Sequence, residues 1–244
     1  TGLRCDWSSD VCSSDLDTFH LDHLSELFQT NRNRKNALDM SKYMKGHFYF
    51  VGIKNPLRQK IMREWWREQS IKNEYDLKCL ISSLWKLDER EFQYVALDFG
   101  KRFKKLFTPE SIPFIRECVT TKSWWDTVDT VASHFTGAVI YQYPKTGRVM
   151  DKWIDDENMW IRRAAILHQL NFKERTNGDR VFHYCEKRMH ESEFFIRKAI
   201  GWALRQYSYV DGNAVFQFVK DNKSELSTLS KTEALKTLKR KEKI

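Results

Sequence analysis

Glycine and proline are scarce, at 9 and 4 of 244 residues. That scarcity argues against a turn-dense β-sandwich or barrel and favours helices. No run approaches the ~18 apolar residues that a membrane span needs. No Gly-rich phosphate loop, nucleophile elbow or zinc-helix motif occurs. His183-Tyr184-Cys185 and the His20/His23 pair stand too isolated for a metal site, which takes three or four ligands at matched spacing. What is present points elsewhere. Hydrophobic residues make up 41% and aromatics 14%, which excludes intrinsic disorder as the main state. The length suits one domain or two small ones. Lys and Arg number 42 against 33 Asp and Glu, a net charge of +9. An anionic partner is implied, nucleic acid first and an anionic membrane surface second.

Residues Thr1–Leu16 are Ser/Asp-rich and show no hydrophobic period. They lack the basic and apolar regions of a signal peptide. From Cys5 to Leu16 the stretch resembles the conceptual translation of a sequencing-library adapter. Residues 1–16 are therefore expected to be a non-native, disordered leader, and 17–244 a single domain. Setting the leader aside leaves 41 basic and 30 acidic residues, net +11. It also leaves Cys79, Cys118 and Cys185. Three widely spaced thiols suggest a reduced chain without a disulfide framework.

Beyond Leu21 the pattern is helical. Leu21, Leu24, Leu27 and Phe28 fall on one helix face. Asn55-Pro56 and Thr108-Pro109 read as an N-cap followed by the first helical residue. The short apolar run His47–Ile53 reads as a helix end and loop. A large apolar residue followed four positions later by a small or β-branched one recurs at Leu57/Ile61, Phe92/Ala96, Trp124/Val128, Trp160/Ala164 and Phe195/Ala199. Successive anchors lie 35, 32, 36 and 35 residues apart. Each interval holds two helices and a turn. A helix pair cannot bury its apolar face alone, so neighbouring pairs stack. The expected fold is an all-α solenoid of HEAT-like helical pairs with a concave face. Arg162, Arg163, Arg197, Lys198 and Arg205 cluster near successive anchors. Such a stripe suits a phosphate backbone. The basic run Lys236–Lys243 reads as a frayed, solvated tail.

The unusual local sequence is Thr121-Lys122-Ser123-Trp124-Trp125-Asp126-Thr127-Val128-Asp129. Ser123 as N-cap and Asp126 at the third helical position would form a capping box. Asp129 lies one turn beyond Trp125 on the same face and is left unexplained by capping.

These residues carry a resemblance. The segment Lys122–Asp129, the run Tyr43-Met44-Lys45-Gly46-His47-Phe48, the run Trp160–Leu167 and the run Phe194–Arg205 resemble the DNA alkylation repair family of the AlkD type. These are HEAT-like-repeat alkylpurine DNA glycosylases. The resemblance spans roughly Leu21 to Lys239. It implies an all-α superhelix whose basic concave face holds duplex DNA. It also implies hydrolysis of the N-glycosidic bond of cationic N3-alkyladenine and N7-alkylguanine without base flipping, leaving an abasic site. By motif match the family's two tryptophans and aspartate fall on Trp125, Trp202 and Asp129, and its catalytic-site arginine on Arg163. A DNA-contacting arginine falls on Arg205 and a lesion-side tyrosine on Tyr43. Arg163 and Arg205 are expected to hold phosphates, with Arg162, Arg197 and Lys198 along the same stripe. No metal or organic cofactor is implied, and no Schiff-base lysine. The expected partner of this monofunctional enzyme is duplex DNA bearing alkylated purines, with no membrane. A cytoplasmic, nucleoid-associated monomer is implied. Two other readings stay open: a non-catalytic binder of damaged or branched DNA, and a protein-interaction scaffold.

Overall fold

The structure is a computed structural model that describes residues 20–68 and 70–241. The leader expected over Thr1–Leu16 lies outside the described residues. Among the described residues no strand forms, and an isolated parallel bridge joins Tyr49 to Glu89. The chain divides into two compact units at Leu106/Phe107.

The first unit holds α1 (Leu21–Thr30), α2 (Arg34–Tyr43), α3 (Asn55–Trp65), α4 (Glu74–Lys86) and α5 (Arg90–Arg102). Leu21, Leu24 and Phe28 form the buried stripe of α1, and the Phe28 ring stacks on Phe92 at 4.9 Å. Trp65 packs edge-on to Phe99 at 5.7 Å. Asn33 and Asn73 cap α2 and α4 through their side chains, because each accepts a backbone N–H that has no helical partner. The cap of α3 falls on Lys54, with Pro56 in the first turn. It sits one residue earlier than Asn55-Pro56 implied, as proline is tolerated at either of the first turn's opening positions. The run His47–Ile53 is the expected loop. It is held by Glu91, whose buried carboxylate accepts the backbone N–H groups of Val51, Gly52 and Ile53 at 3.1, 2.8 and 3.0 Å. Gly52 has φ +97°, and a Cβ there would lie 2.0 Å from the Asn33 carbonyl oxygen.

The second unit opens with a 3-10 turn, Pro109–Ser111, capped by Thr108 as its sequence implied. There follow α6 (Ile112–Thr120), α7 (Trp125–Thr130), a π-helical segment (Val131–Thr136) and α8 (Gly137–Gln142). Then come α9 (Arg148–Trp153), α10 (Met159–Leu167), α11 (Gly178–Arg188) and α12 (Phe194–Tyr207). The chain continues through α13 (Gly212–Asp221), α14 (Thr228–Ala234) and α15 (Lys236–Lys241). Of the run Lys236–Lys243 expected to be a frayed tail, Lys236–Lys241 is helical with Thr237 buried, and the rest lies outside the described residues. Asn158, Asn177, Asp211 and Ser227 cap α10, α11, α13 and α14.

Each sequence anchor falls on the first turn of a repeat's leading helix or at its cap, and Ile61, Ala96, Val128, Ala164 and Ala199 are buried. Leu57 departs from the pattern and is exposed. In the second unit the anchors touch. Trp124 lies 5.7 Å from Trp160 and 5.1 Å from Phe195, and Trp160 lies 5.0 Å from Phe195. Polar links step by the same period. Tyr184 donates to Asp151 across 33 residues, Ser230 to the Arg197 carbonyl across 33, and Lys198 pairs with Glu233 across 35. Elements one period apart are therefore linked directly, and the fold class is the expected all-α helical repeat. Cys118 and Cys185 are free and buried. Cys79 is buried in α4.

Candidate active site

Helix α10 packs between α7, which carries Trp125 and Asp129, and α12, which carries Trp202. The expected capping box is not formed. Trp124 takes the cap position of α7 with no side-chain cap. The Ser123 hydroxyl instead donates to the Val119 carbonyl at 2.7 Å, satisfying the end of α6. Trp125 opens α7, half-buried, and Asp129 follows one turn later on the same face. The helix then widens into the π-helical segment, and the Ser133 hydroxyl donates to the Asp129 carbonyl at 2.7 Å. Inserted π turns commonly mark functional positions.

The Asp129 carboxylate is gripped by Arg163 of α10. Nε donates to Oδ1 at 2.7 Å and Nη2 to Oδ2 at 2.8 Å. Nη1 donates to the Phe195 carbonyl, so every guanidinium nitrogen is engaged within the protein. Side-chain exposure is 5% for Arg163 and 13% for Asp129. Such a fork-to-fork contact fixes the carboxylate's plane as well as its position. Burial pushes the Asp129 carboxyl above the ordinary carboxylate value, while the charge and hydrogen bonds of Arg163 pull it back and Asp126 adds a further push upward. The result is a carboxylate that is dry, oriented and more basic than one in water. Arg163 is expected from sequence to hold phosphates; its burial leaves it to hold Asp129.

The other cations also face acceptors of the chain itself. Arg162 pairs with Glu191 at 2.9 Å and donates to the carbonyls of Asp156 and Glu157 at 2.8 Å each. Arg197 donates to the Glu191 carbonyl at 2.9 Å. Lys198 and Arg205 both pair with Glu233. Trp202 is half-buried on α12. Tyr43 closes α2 in the first unit, 71% exposed. The second unit thus joins Asp129 to Arg163 directly. It joins Arg162 to Arg197 through Glu191, and Lys198 to Arg205 through Glu233. Sequence reasoning missed Glu191, Glu233 and the Phe195 carbonyl. The repeat period was the available signal, because one period beyond Lys198 lands near Glu233. Among the described residues no group of three or more His, Cys, Asp or Glu is placed to hold a metal ion. No described helix is long and apolar enough to cross a membrane.

The all-α helical-repeat fold defines a class of protein, and the comparisons with known proteins agree with that fold. The family model described as DNA alkylation repair enzyme matches residues 24–238. The chain belongs to the DNA alkylation repair enzyme family. Its fold is similar to a solved structure described as "Predicted DNA alkylation repair enzyme from Enterococcus faecalis". The TM-score is 0.77 and the identity 34%, over 84% of this chain and 95% of that one. No curated protein matches the chain.

Proposed function

We propose that this protein is a monofunctional DNA glycosylase for cationic alkylpurines in duplex DNA. The observation that carries this reading is the buried Asp129 carboxylate held by Arg163 one turn from Trp125. N3-alkyladenine and N7-alkylguanine already bear a positive charge. Their bond to C1′ breaks with the electron pair leaving on the base, which becomes neutral. No general acid is needed. Positive charge builds instead on the deoxyribose, and Asp129 stabilises it as a preorganised anion. Water then adds at C1′ and yields its proton, with the raised basicity of Asp129 suiting it as acceptor. The tryptophan faces of Trp125 and Trp202 attract the cationic sugar, a contact worth about 0.5–2 kcal/mol each. Arg163 positions Asp129, while Lys198 and Arg205 serve the phosphates.

A site that works from the backbone side leaves the base in the duplex and needs no shaped pocket. It differs in that respect from enzymes that extrude the base. The deciding experiment incubates N-methylated duplex DNA with purified protein and measures free N7-methylguanine and N3-methyladenine. Release well above the spontaneous rate is expected. Salt-sensitive duplex binding without release would leave the DNA-binding reading alone, and neither binding nor release would leave the scaffold reading.

A further inference from the structure

We propose that Glu233 is a positioning residue for DNA: a fixed carboxylate that gathers Lys198 and Arg205 beside Trp202 into one phosphate clamp. This rests on the reading of the chain as a duplex-DNA enzyme. Lys198, Trp202 and Arg205 are four and three residues apart on α12 and share one helix face. The two cations leave the helix roughly 10 Å apart along its axis. They nevertheless meet at one carboxylate. Lys198 Nζ lies 3.1 Å from Glu233 Oε2, and Arg205 Nη1 pairs with Oε1. The side chains therefore lean inward from either side of Trp202.

The carboxylate is held from behind. Helix α14 approaches α12 at Gly201, where a Cβ would lie 2.6 Å from the Glu233 Cβ and 3.0 Å from the Ser230 carbonyl oxygen. The Ser230 hydroxyl donates to the Arg197 carbonyl at 2.9 Å, and Ser227 caps the helix. The Glu233 stem lies in this close crossing, which limits how far Glu233 can swing. Its side chain is 14% exposed, whereas Lys198 is 42% and Arg205 24% exposed. The anion is covered and the cations face outward. Each carboxylate oxygen takes one donor, while an ammonium offers three and a guanidinium five, so donors remain for a phosphate. A displaceable competitor for DNA would need the reverse arrangement, with an exposed and mobile anion. Held in this way, the two long side chains lose their rotamer freedom before DNA arrives.

The test is a fluorescence-anisotropy titration of a DNA duplex with the full chain across salt concentrations, for wild type, E233Q and E233A. E233Q keeps the packing at Gly201 if E233A folds poorly. Both variants raise the net charge by one, so bulk electrostatics predicts tighter binding. The clamp predicts binding roughly five- to tenfold weaker, with a salt slope shallower by about one to two phosphate contacts. K198A/R205A/E233A should then bind no more weakly than K198A/R205A. Excision should show a raised KM with the single-turnover rate at saturating enzyme retained. Equal or tighter binding by E233Q, or lowered thermal stability with an unchanged salt slope, overturns the clamp. Wild type that binds duplex without salt dependence overturns the DNA-enzyme reading itself, a separate result.

Discussion

Replacing Arg163 by Met removes both hydrogen bonds from the Asp129 carboxylate while keeping much of the side chain's length. The pair it breaks is short, at 2.7 and 2.8 Å, and nearly dry. At an effective dielectric of ~20 two charges ~4 Å apart attract by about 4 kcal/mol. Removing one partner of a buried pair costs about 3–5 kcal/mol, because the other charge is stranded. Burial already pushes the Asp129 carboxyl above its ordinary value, and Arg163 is the main opposing influence. Without Arg163 it rises further, and a larger share of the group is the neutral acid. A neutral carboxyl does not stabilise a cationic sugar. Excision by Arg163→Met should therefore drop by at least ~10²-fold near neutral pH and recover partly as pH rises. The stability sign follows from the same group. The folded state must ionise a buried carboxyl that the unfolded chain ionises freely, so Arg163→Met should lose stability as pH rises. Single-turnover release of N7-methylguanine from neutral to alkaline pH, with thermal unfolding alongside, measures both. Wild-type rates with an unshifted pH profile would refute the reasoning. The paired change Asp129→Leu with Arg163→Met should regain most of the lost stability, since apolar replacement of a buried ion pair is often neutral. It should regain no excision.

The remaining expectations concern the frame. Gly201→Ala places a methyl against Glu233 and Ser230 and should cost about 1–3 kcal/mol by displacing α14; a denaturation midpoint at the wild-type value counts against the tight crossing. Glu91→Ala orphans the backbone N–H groups of Val51, Gly52 and Ile53. At about 1–3 kcal/mol per unsatisfied donor, it should be among the most destabilising changes in the first unit, and a loss under ~1 kcal/mol in urea unfolding would contradict that account. His168 is fully buried, and burial lowers its pKa from 6.5 to about 4. The unfolded chain binds the proton first, so stability should fall as pH drops from about 6.5 to about 4, by roughly 3 kcal/mol. His168→Phe should flatten that part of the pH–stability curve, and an unchanged slope would assign it to other groups.

The helical class was legible because scarce glycine and proline, together with apolar spacing, are local facts. The repeat was legible because anchors recur at 32 to 36 residues, and stacked repeats must present like residues to like positions. Caps were read less well. Ser123 is drawn back to Val119 and α3 begins at Asn55 behind Lys54, because a cap depends on where the preceding chain has been placed. Asp129 could be picked out from the run around Trp125, and Arg163 from the resemblance, but not that the two pair with each other.

By itself, the sequence determined an all-α repeat, a net positive chain and an Asp129 that local capping does not explain. Only the tertiary structure decided which cation serves which anion. Arg162 and Arg163 are adjacent in the chain and chemically alike. One turns to Glu191 and the other to Asp129, because successive residues on a helix point about 100° apart. What each faces depends on the neighbouring repeat. The same packing hid Glu233 in a helix of unremarkable sequence. The net charge of +9 foretold an anionic partner, and the folded chain places several of those cations against its own carboxylates.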